Sequence, residues 1–196
     1  MKLPNPNYKG NNSLEEILVK RRSIRDYKKL PLTISEVSQL LWACQGITEN
    51  IFKLRTSPSA GALYPLSVHL VVGEVEGLEK GVYKYNPNGH EIKLVKSGDV
   101  REELHKFSLL QDSVKNAPIS IVISADYNIT TRKYGNRGIR YVHIEVGHVG
   151  ENLYLQATAL GLGTVAVGAF EDEKVRELLR IPDKEEVLYI MPVGKV

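Results

Sequence analysis

The chain has a single cysteine, Cys44, in 196 residues, which excludes an intramolecular disulfide and any zinc site built on several thiolates. Cys44 falls within an apolar helical run, the setting of a small buried hydrophobe and not of a nucleophile. No apolar run is long enough to span a bilayer, and Met1 to Asn7 lacks the apolar stretch of a secretory signal. The expectation is a cytoplasmic protein without a membrane partner. Net charge is also scarce: 26 basic residues against 23 acidic ones leave +3. The two signs are interleaved, which argues against a nucleic-acid groove and for local anion sites. Repeats, low-complexity tracts and linkers are absent. With 42% hydrophobic and 25% charged residues, the composition is that of one ordinary domain spanning 1–196.

What is present reads as a mixture of helices and strands. Ser13-Leu14-Glu15-Glu16 and Thr33-Ile34-Ser35-Glu36 both have the spacing of a capping box. The first opens a helix with Leu14, Ile17 and Leu18 on one face; the second opens one carrying Val37, Leu40, Leu41 and Cys44 and closing at Gly46. Strands are predicted at 68–72, 82–85, 92–95, 119–125, 164–167 and 187–191, with the second and third forming a hairpin. Further helices are predicted at 101–108, 141–160 and 172–179; the longest is closed by Gly161 and is apolar enough to be buried on more than one side. The stretch from Tyr127 to Asn136 reads as a mobile functional loop.

Several motifs are excluded by their context. Gly161-Leu162-Gly163-Thr164-Val165-Ala166 matches the letters of a dinucleotide fingerprint, but a helix precedes it and a strand follows, the reverse of what that fingerprint needs. Glu102 to His105 and Glu145 to His148 have the Glu-x-x-His spacing of di-iron bundles, yet the chain lacks the four long helices and the added carboxylates. His143-Ile144-Glu145 has deaminase spacing without the cysteine pair that completes the zinc shell.

Two segments point to chemistry. Arg21-Arg22-Ser23-Ile24-Arg25 places three guanidinium forks and a hydroxyl at the end of the first helix, a donor set matched to phosphate. The alternative is a solvated helix end. Pro58-Ser59-Ala60-Gly61-Ala62-Leu63-Tyr64-Pro65 is a run of mostly small residues bracketed by prolines, which lets a flat ligand approach the backbone.

Taken with Ala159 to Phe170, these segments resemble the FMN-dependent nitroreductase family over nearly the whole chain. Within it, Ser59 to Pro65, Tyr134 to Tyr141, Glu145 to His148 and Asn152 to Leu155 are similar to the branch called SagB-type dehydrogenases. The resemblance implies an α+β nitroreductase-like fold, with a central mixed, mostly antiparallel sheet flanked by helices, in an intertwined homodimer with FMN at the subunit interface. It implies that Arg21, Arg22, Ser23 and Arg25 hold the phosphate, the ribityl chain and the N1 to C2 edge of the flavin. Pro58, Ser59, Ala60, Gly61 and Leu63 would come from the second subunit, and Ala166, Val167, Gly168 and Ala169 would lie along the ring. Lys195 stands where relatives continue to further basic residues. The implied activity is hydride transfer from NAD(P)H through FMN to a small aromatic or quinone-type acceptor. Two alternatives stay open: azoline oxidation on a peptide with Lys133 and Tyr134 assisting, and flavin storage without turnover. Lys133 and Tyr134 read equally as a solvent-facing lysine and a packing tyrosine.

Overall fold

The computed structural model describes residues 1–196. The strands are β1 (Leu66–Val72), β2 (Gly81–Asn86), β3 (Glu91–Ser97), β4 (Ile119–Ala125), β5 (Leu162–Thr164) and β6 (Glu186–Lys195). They form one sheet in the order β3-β2-β1-β4-β6-β5. The helices are α1 (Leu14–Lys20), α2 (Ile34–Gln45), α3 (Arg101–Phe107), α4 (Asp112–Asn116), α5 (Tyr127–Tyr134), α6 (Arg137–Ala159) and α7 (Asp172–Leu178).

β4 is buried over its whole length and is the axis of the sheet. Its register with β1 is unbroken, from Leu66 opposite Ala125 to Val72 opposite Ile119. Ile119, Ile121 and Ile123 face α2 and α6, packing with Val68, Leu70, Leu40 and Leu41. Val122 faces the other way, into a smaller core with Leu104, Val114 and Val175 from α3, α4 and α7. The alternation follows from the two-residue period of a strand, and each fully buried aliphatic side chain contributes about 1.5–3 kcal/mol.

Both capping boxes form as the sequence predicts, with Ser13 and Thr33 each accepting from the backbone N–H three residues on. The mostly antiparallel sheet is as expected: every ladder is antiparallel, and parallel pairing is confined to single bridges, Ser23 with Thr164 and Leu32 with Val75. Two local expectations are corrected. The predicted strand at 164–167 lies instead at Leu162–Thr164, because its partner strand reaches Pro192, which has no N–H to continue the ladder. The pairing resumes only as one bridge between Val167 and Ile190.

The second correction concerns Tyr127 to Asn136, which is not a loop: Tyr127–Tyr134 is α5, capped by Asp126 accepting from the Asn128 N–H at 3.0 Å. Only Thr130 of this helix is buried, so no apolar periodicity announces it. It is stable because it packs on the start of α6, where Gly138 lets the two backbones meet. A Cβ at Gly138 would stand 2.8 Å from the Thr131 nitrogen and 2.9 Å from the Thr130 carbonyl carbon.

Replacing Gly138 by alanine therefore forces α5 away from α6, an overpacking cost of about 1–3 kcal/mol against a smaller gain in helix propensity. The expected outcome is a melting temperature lower by about 2–10 °C, read by calorimetry; an unchanged or higher melting temperature refutes the close contact.

Candidate functional site

The arginine segment is tied to the edge of the sheet. α1 ends with the Arg21 N–H donating to the Ile17 carbonyl at 2.8 Å, and the chain then turns extended so that the Ile24 N–H donates to the Thr164 carbonyl at 2.9 Å. This lays Ser23 alongside β5. Tyr154, from α6, joins the two strips: its hydroxyl lies 2.9 Å from Ser23 Oγ and accepts from the Ala166 N–H at 2.8 Å. The Arg21 guanidinium stands 5.3 Å over the Tyr154 ring. The Arg22 guanidinium donates to the Val19 and Arg21 carbonyls, and neither it, Arg21 nor Arg25 forms an ion pair.

Beyond Val167, which pairs with Ile190, Gly168 and Ala169 are exposed, and their N–H groups make no hydrogen bond within the chain. A Cβ at Gly168 would meet only the Tyr189 ring, at 3.8 Å, so the surface above this ledge is open. Lys195 is differently engaged: its ammonium donates to Glu36 Oε1 at 2.7 Å, at the capping box of α2.

The proline-bracketed loop forms a second cluster. Asn152 of α6 donates to the Ala43 carbonyl, the Thr56 carbonyl and Ser57 Oγ, at 3.1, 3.3 and 2.9 Å, fixing the approach to the loop. Ala60–Ala62 makes one 3-10 turn, with Gly61 at φ 62°, Ala62 at 54° and Tyr64 at 51°. Left-handed backbone at two non-glycine residues is strained and persists only where the surroundings enforce it. Here Ser59 enforces it: Oγ accepts from the Tyr64 N–H at 2.9 Å and donates to Glu145 Oε2 at 2.5 Å. Gly61 lies directly beneath the predicted Lys133-Tyr134 pair, since a Cβ there would come within 2.6 Å of Tyr134 Oη and 2.8 Å of Lys133 Nζ. The Tyr134 ring is set edge-on to Tyr141 at 5.1 Å, with Lys133 Nζ 5.4 Å over it.

Glu145 is 2% exposed, and its Oε1 has no partner. Burial pushes its carboxyl up to about 7, against the Ser59 hydrogen bond and the Arg55 charge, which both pull it down. Arg55 does not reach it; its guanidinium stacks 4.4 Å over the Tyr64 ring and donates to Gln45 Oε1 at 2.7 Å. Pro58, Ser59, Ala60, Tyr141, Ile144, Glu145 and His148 line an open cavity of about 230 Å³.

The structure thus brings Arg21, Ser23 and Ala166 together, and separately brings Ser59 and Gly61 to Glu145, Lys133 and Tyr134. Sequence reasoning assigns no role to Tyr154, Asn152 or Glu145, although all three lie in the segments that carry the resemblance. No local signal marks them, because α6 carries many polar side chains and only its packing sets these three apart. The Glu-x-x-His motifs are both split: Glu102 pairs with Lys115 while His105 faces Asp112, and His148 is exposed while Glu145 is buried. No group of His, Cys, Asp or Glu residues is arranged to hold a metal ion.

Comparison with known proteins agrees with this architecture. A candidate nitroreductase of Methanocaldococcus jannaschii is 52% identical over 183 residues, covering 93% of this chain and 90% of that protein. Among solved structures, a candidate nitroreductase of Anabaena variabilis superposes with a TM-score of 0.83 at 36% identity, covering 93% of this chain and 38% of that longer one. Another, from Ralstonia eutropha, gives a TM-score of 0.88 at 26% identity, covering 100% of this chain and 88% of that one. The model of the Nitroreductase family matches residues 18–195, and the chain belongs to that family.

Proposed function

We propose that the protein is an FMN-dependent oxidoreductase that works as a homodimer with two composite sites. The observation that carries this reading is the pairing of unpaired guanidinium groups with an open backbone ledge. Arg21, Arg22 and Arg25 have no carboxylate partner, and Tyr154 holds their segment beside Ala166 to Ala169, where two N–H groups are free. An anionic tail and a flat polar ring match that donor set. In this reading Arg21, Arg22, Ser23 and Arg25 hold the phosphate, ribityl chain and N1 to C2 edge, and Ala166, Val167, Gly168 and Ala169 line the ring. Lys195 contributes to the phosphate only if it exchanges Glu36 for it.

Bound there, FMN supplies hydride chemistry, taking a hydride from NAD(P)H and passing the electrons to a small aromatic or quinone-type acceptor in a ping-pong sequence. The chain's own part is to bind, orient and neutralise. Guanidinium charge near the ring's N1 to C2 edge favours the anionic reduced form, and small side chains leave the ring face free for two substrates in turn.

The geometry of α6 supports the dimer. Glu145 and Tyr154 are nine residues apart on this helix, about 13 Å of rise and roughly two and a half turns, so they look out from opposite faces. One chain therefore cannot close both clusters on one flavin, whereas a two-fold axis sets each cluster against its complement. Exposed apolar side chains at Leu14, Leu18, Val19, Ile51 and Phe52 are the surface such a partner covers. Pro58, Ser59, Ala60, Gly61 and Leu63 then reach the partner's flavin. A second reading is favoured by Lys133 and Tyr134 standing over Gly61: oxidation of a peptide azoline, with these two groups moving the proton.

Purified protein is expected to show flavin absorbance that bleaches with NADPH or NADH in the absence of oxygen. Arg21→Ala with Arg25→Ala weakens FMN binding at least about 10-fold, as expected for lost charged hydrogen bonds; a colourless protein that takes up no FMN overturns the reading. Bands that persist under both nicotinamides, with loss of azoline oxidation in Lys133→Ala, favour the second reading.

Composite sites make a sharper expectation. Arg21→Ala/Arg25→Ala subunits and Gly61→Val subunits each lose flavin as homodimers, but co-expressed they form heterodimers with one intact site. About half of the wild-type flavin per heterodimer is expected. Heterodimers with no recovered flavin refute the sharing of sites.

A further inference from the structure

Ser59 and Glu145 form a hydrogen-bonded pair whose arrangement exceeds what a structural clasp needs. Ser59 Oγ has one hydrogen and two lone pairs. It accepts the Tyr64 N–H and gives its hydrogen to Glu145 Oε2. An amide in place of Glu145 could accept the same Ser59 hydrogen, but it would bury two N–H donors where Oε1 has no partner. What only a carboxyl provides is a proton. When Oε2 carries one, the bond between the two groups reverses, and the Ser59 hydrogen is released toward the cavity that Ser59 lines.

We propose that Ser59 and Glu145 are a proton relay into the redox site: Ser59 Oγ gives its hydrogen to an anionic atom of the bound acceptor, Glu145 Oε2 replaces it, and water entering beside His148 re-protonates Glu145. The inference rests on the flavin reading, which puts this loop at the partner's ring and supplies the hydride that leaves the acceptor negative. Each transfer breaks one O–H bond as it makes another. The sum is one proton moved from water to the acceptor, with no electrons taken from the protein.

The surroundings suit a donor of this kind. The charged and titratable groups around Glu145 are Arg55 from the segment before the loop, Tyr141 and His148 from its own helix, and Lys133 and Tyr134 of α5 across Gly61. None makes an ion pair with it, and burial holds its carboxyl near 7, where an acid is both populated and able to give up its proton at neutral pH. The cavity is lined by exposed His148, so re-protonation needs no opening of the core.

The test compares wild type with Glu145→Gln, Ser59→Ala and Ser59→Thr, all loaded with FMN. Infrared spectroscopy of the protein without acceptor should show a protonated-carboxyl C=O band that titrates near pH 7 in wild type and is missing in Glu145→Gln. Turnover of wild type with a quinone acceptor should fall above pH 7 and slow in deuterated water. Glu145→Gln should lose both signatures and about 10–100-fold in kcat, with KM and flavin content little changed; Ser59→Ala, which also releases the Tyr64 N–H and loosens the loop, should lose both signatures together with part of its flavin, while Ser59→Thr keeps them. The relay is overturned if flavin-loaded Glu145→Gln retains the wild-type pH limb and isotope effect, or if the infrared band shows Glu145 ionised throughout. A wild type that binds no flavin overturns the functional reading and the relay with it, and leaves the infrared titration as a statement about Glu145 alone.

Discussion

Both clusters of the site are fixed by side chains of α6 that reach backbone or hydroxyl groups of other segments. Tyr154 holds the Ala166 N–H and Ser23, and Asn152 holds the carbonyls of Ala43 and Thr56 together with Ser57. Such bonds are modest in net energy, about 1 kcal/mol each, but leaving the buried ends unmade costs more, so they act chiefly as placement. α6 can serve as this reference because one of its faces is locked into the core, where Val142, Val149, Leu153 and Ala157 are fully buried against the sheet. A shift of the helix would move both clusters at once.

Charge is distributed to the same end. Several part-buried carboxylates are held by specific partners. Arg101 holds Asp99 well below the usual carboxylate range. Burial would raise Glu185, but the nearby His69 ring, the Ser124 hydroxyl donating to it at 2.6 Å and the Lys84 charge bring it to about 2. Since burial also keeps His69 neutral, Lys84 and the Ser124 hydroxyl are the partners that matter most to Glu185. Glu36 is held low by Lys195 and Thr33, although burial opposes it. Glu145 is left as a buried carboxyl without an ion pair, at a cost, and such exceptions concentrate at functional sites. The arginine cluster is also without carboxylate partners, with Arg22 and Arg25 exposed to solvent.

Most of the architecture was legible in the sequence, and the parts that were not share a cause. α2 and β4 announce themselves because a capping box or a β-branched run coincides with the apolar period of the element. α5 and α4 have few buried residues and exist by virtue of what they pack on, so their sequences carry little pattern. The short β5 was displaced by a proline in its partner strand, a long-range effect that no local window contains. Within the candidate site, Arg21, Ser23 and Gly61 stand out through residue type, being unusual in their places. Tyr154 and Glu145 were not, because a tyrosine or glutamate in a helix is ordinary until its neighbours are known.

Gly61 shows how the two levels meet. Its φ of 62° alone would admit an asparagine at modest cost, but the space above it is taken by Tyr134 and Lys133. The next residues, Ala62 and Tyr64, share the left-handed region without the excuse of a missing side chain, at about 1–3 kcal/mol each. One hydroxyl, Ser59 Oγ, spans this strained segment from Tyr64 to Glu145. The hydrogen-bond state of a single serine therefore sets both the shape of the loop and the donor it presents. The carboxyl behind it, and not the exposed lysine above it, is the group bonded to the hydroxyl that spans the loop.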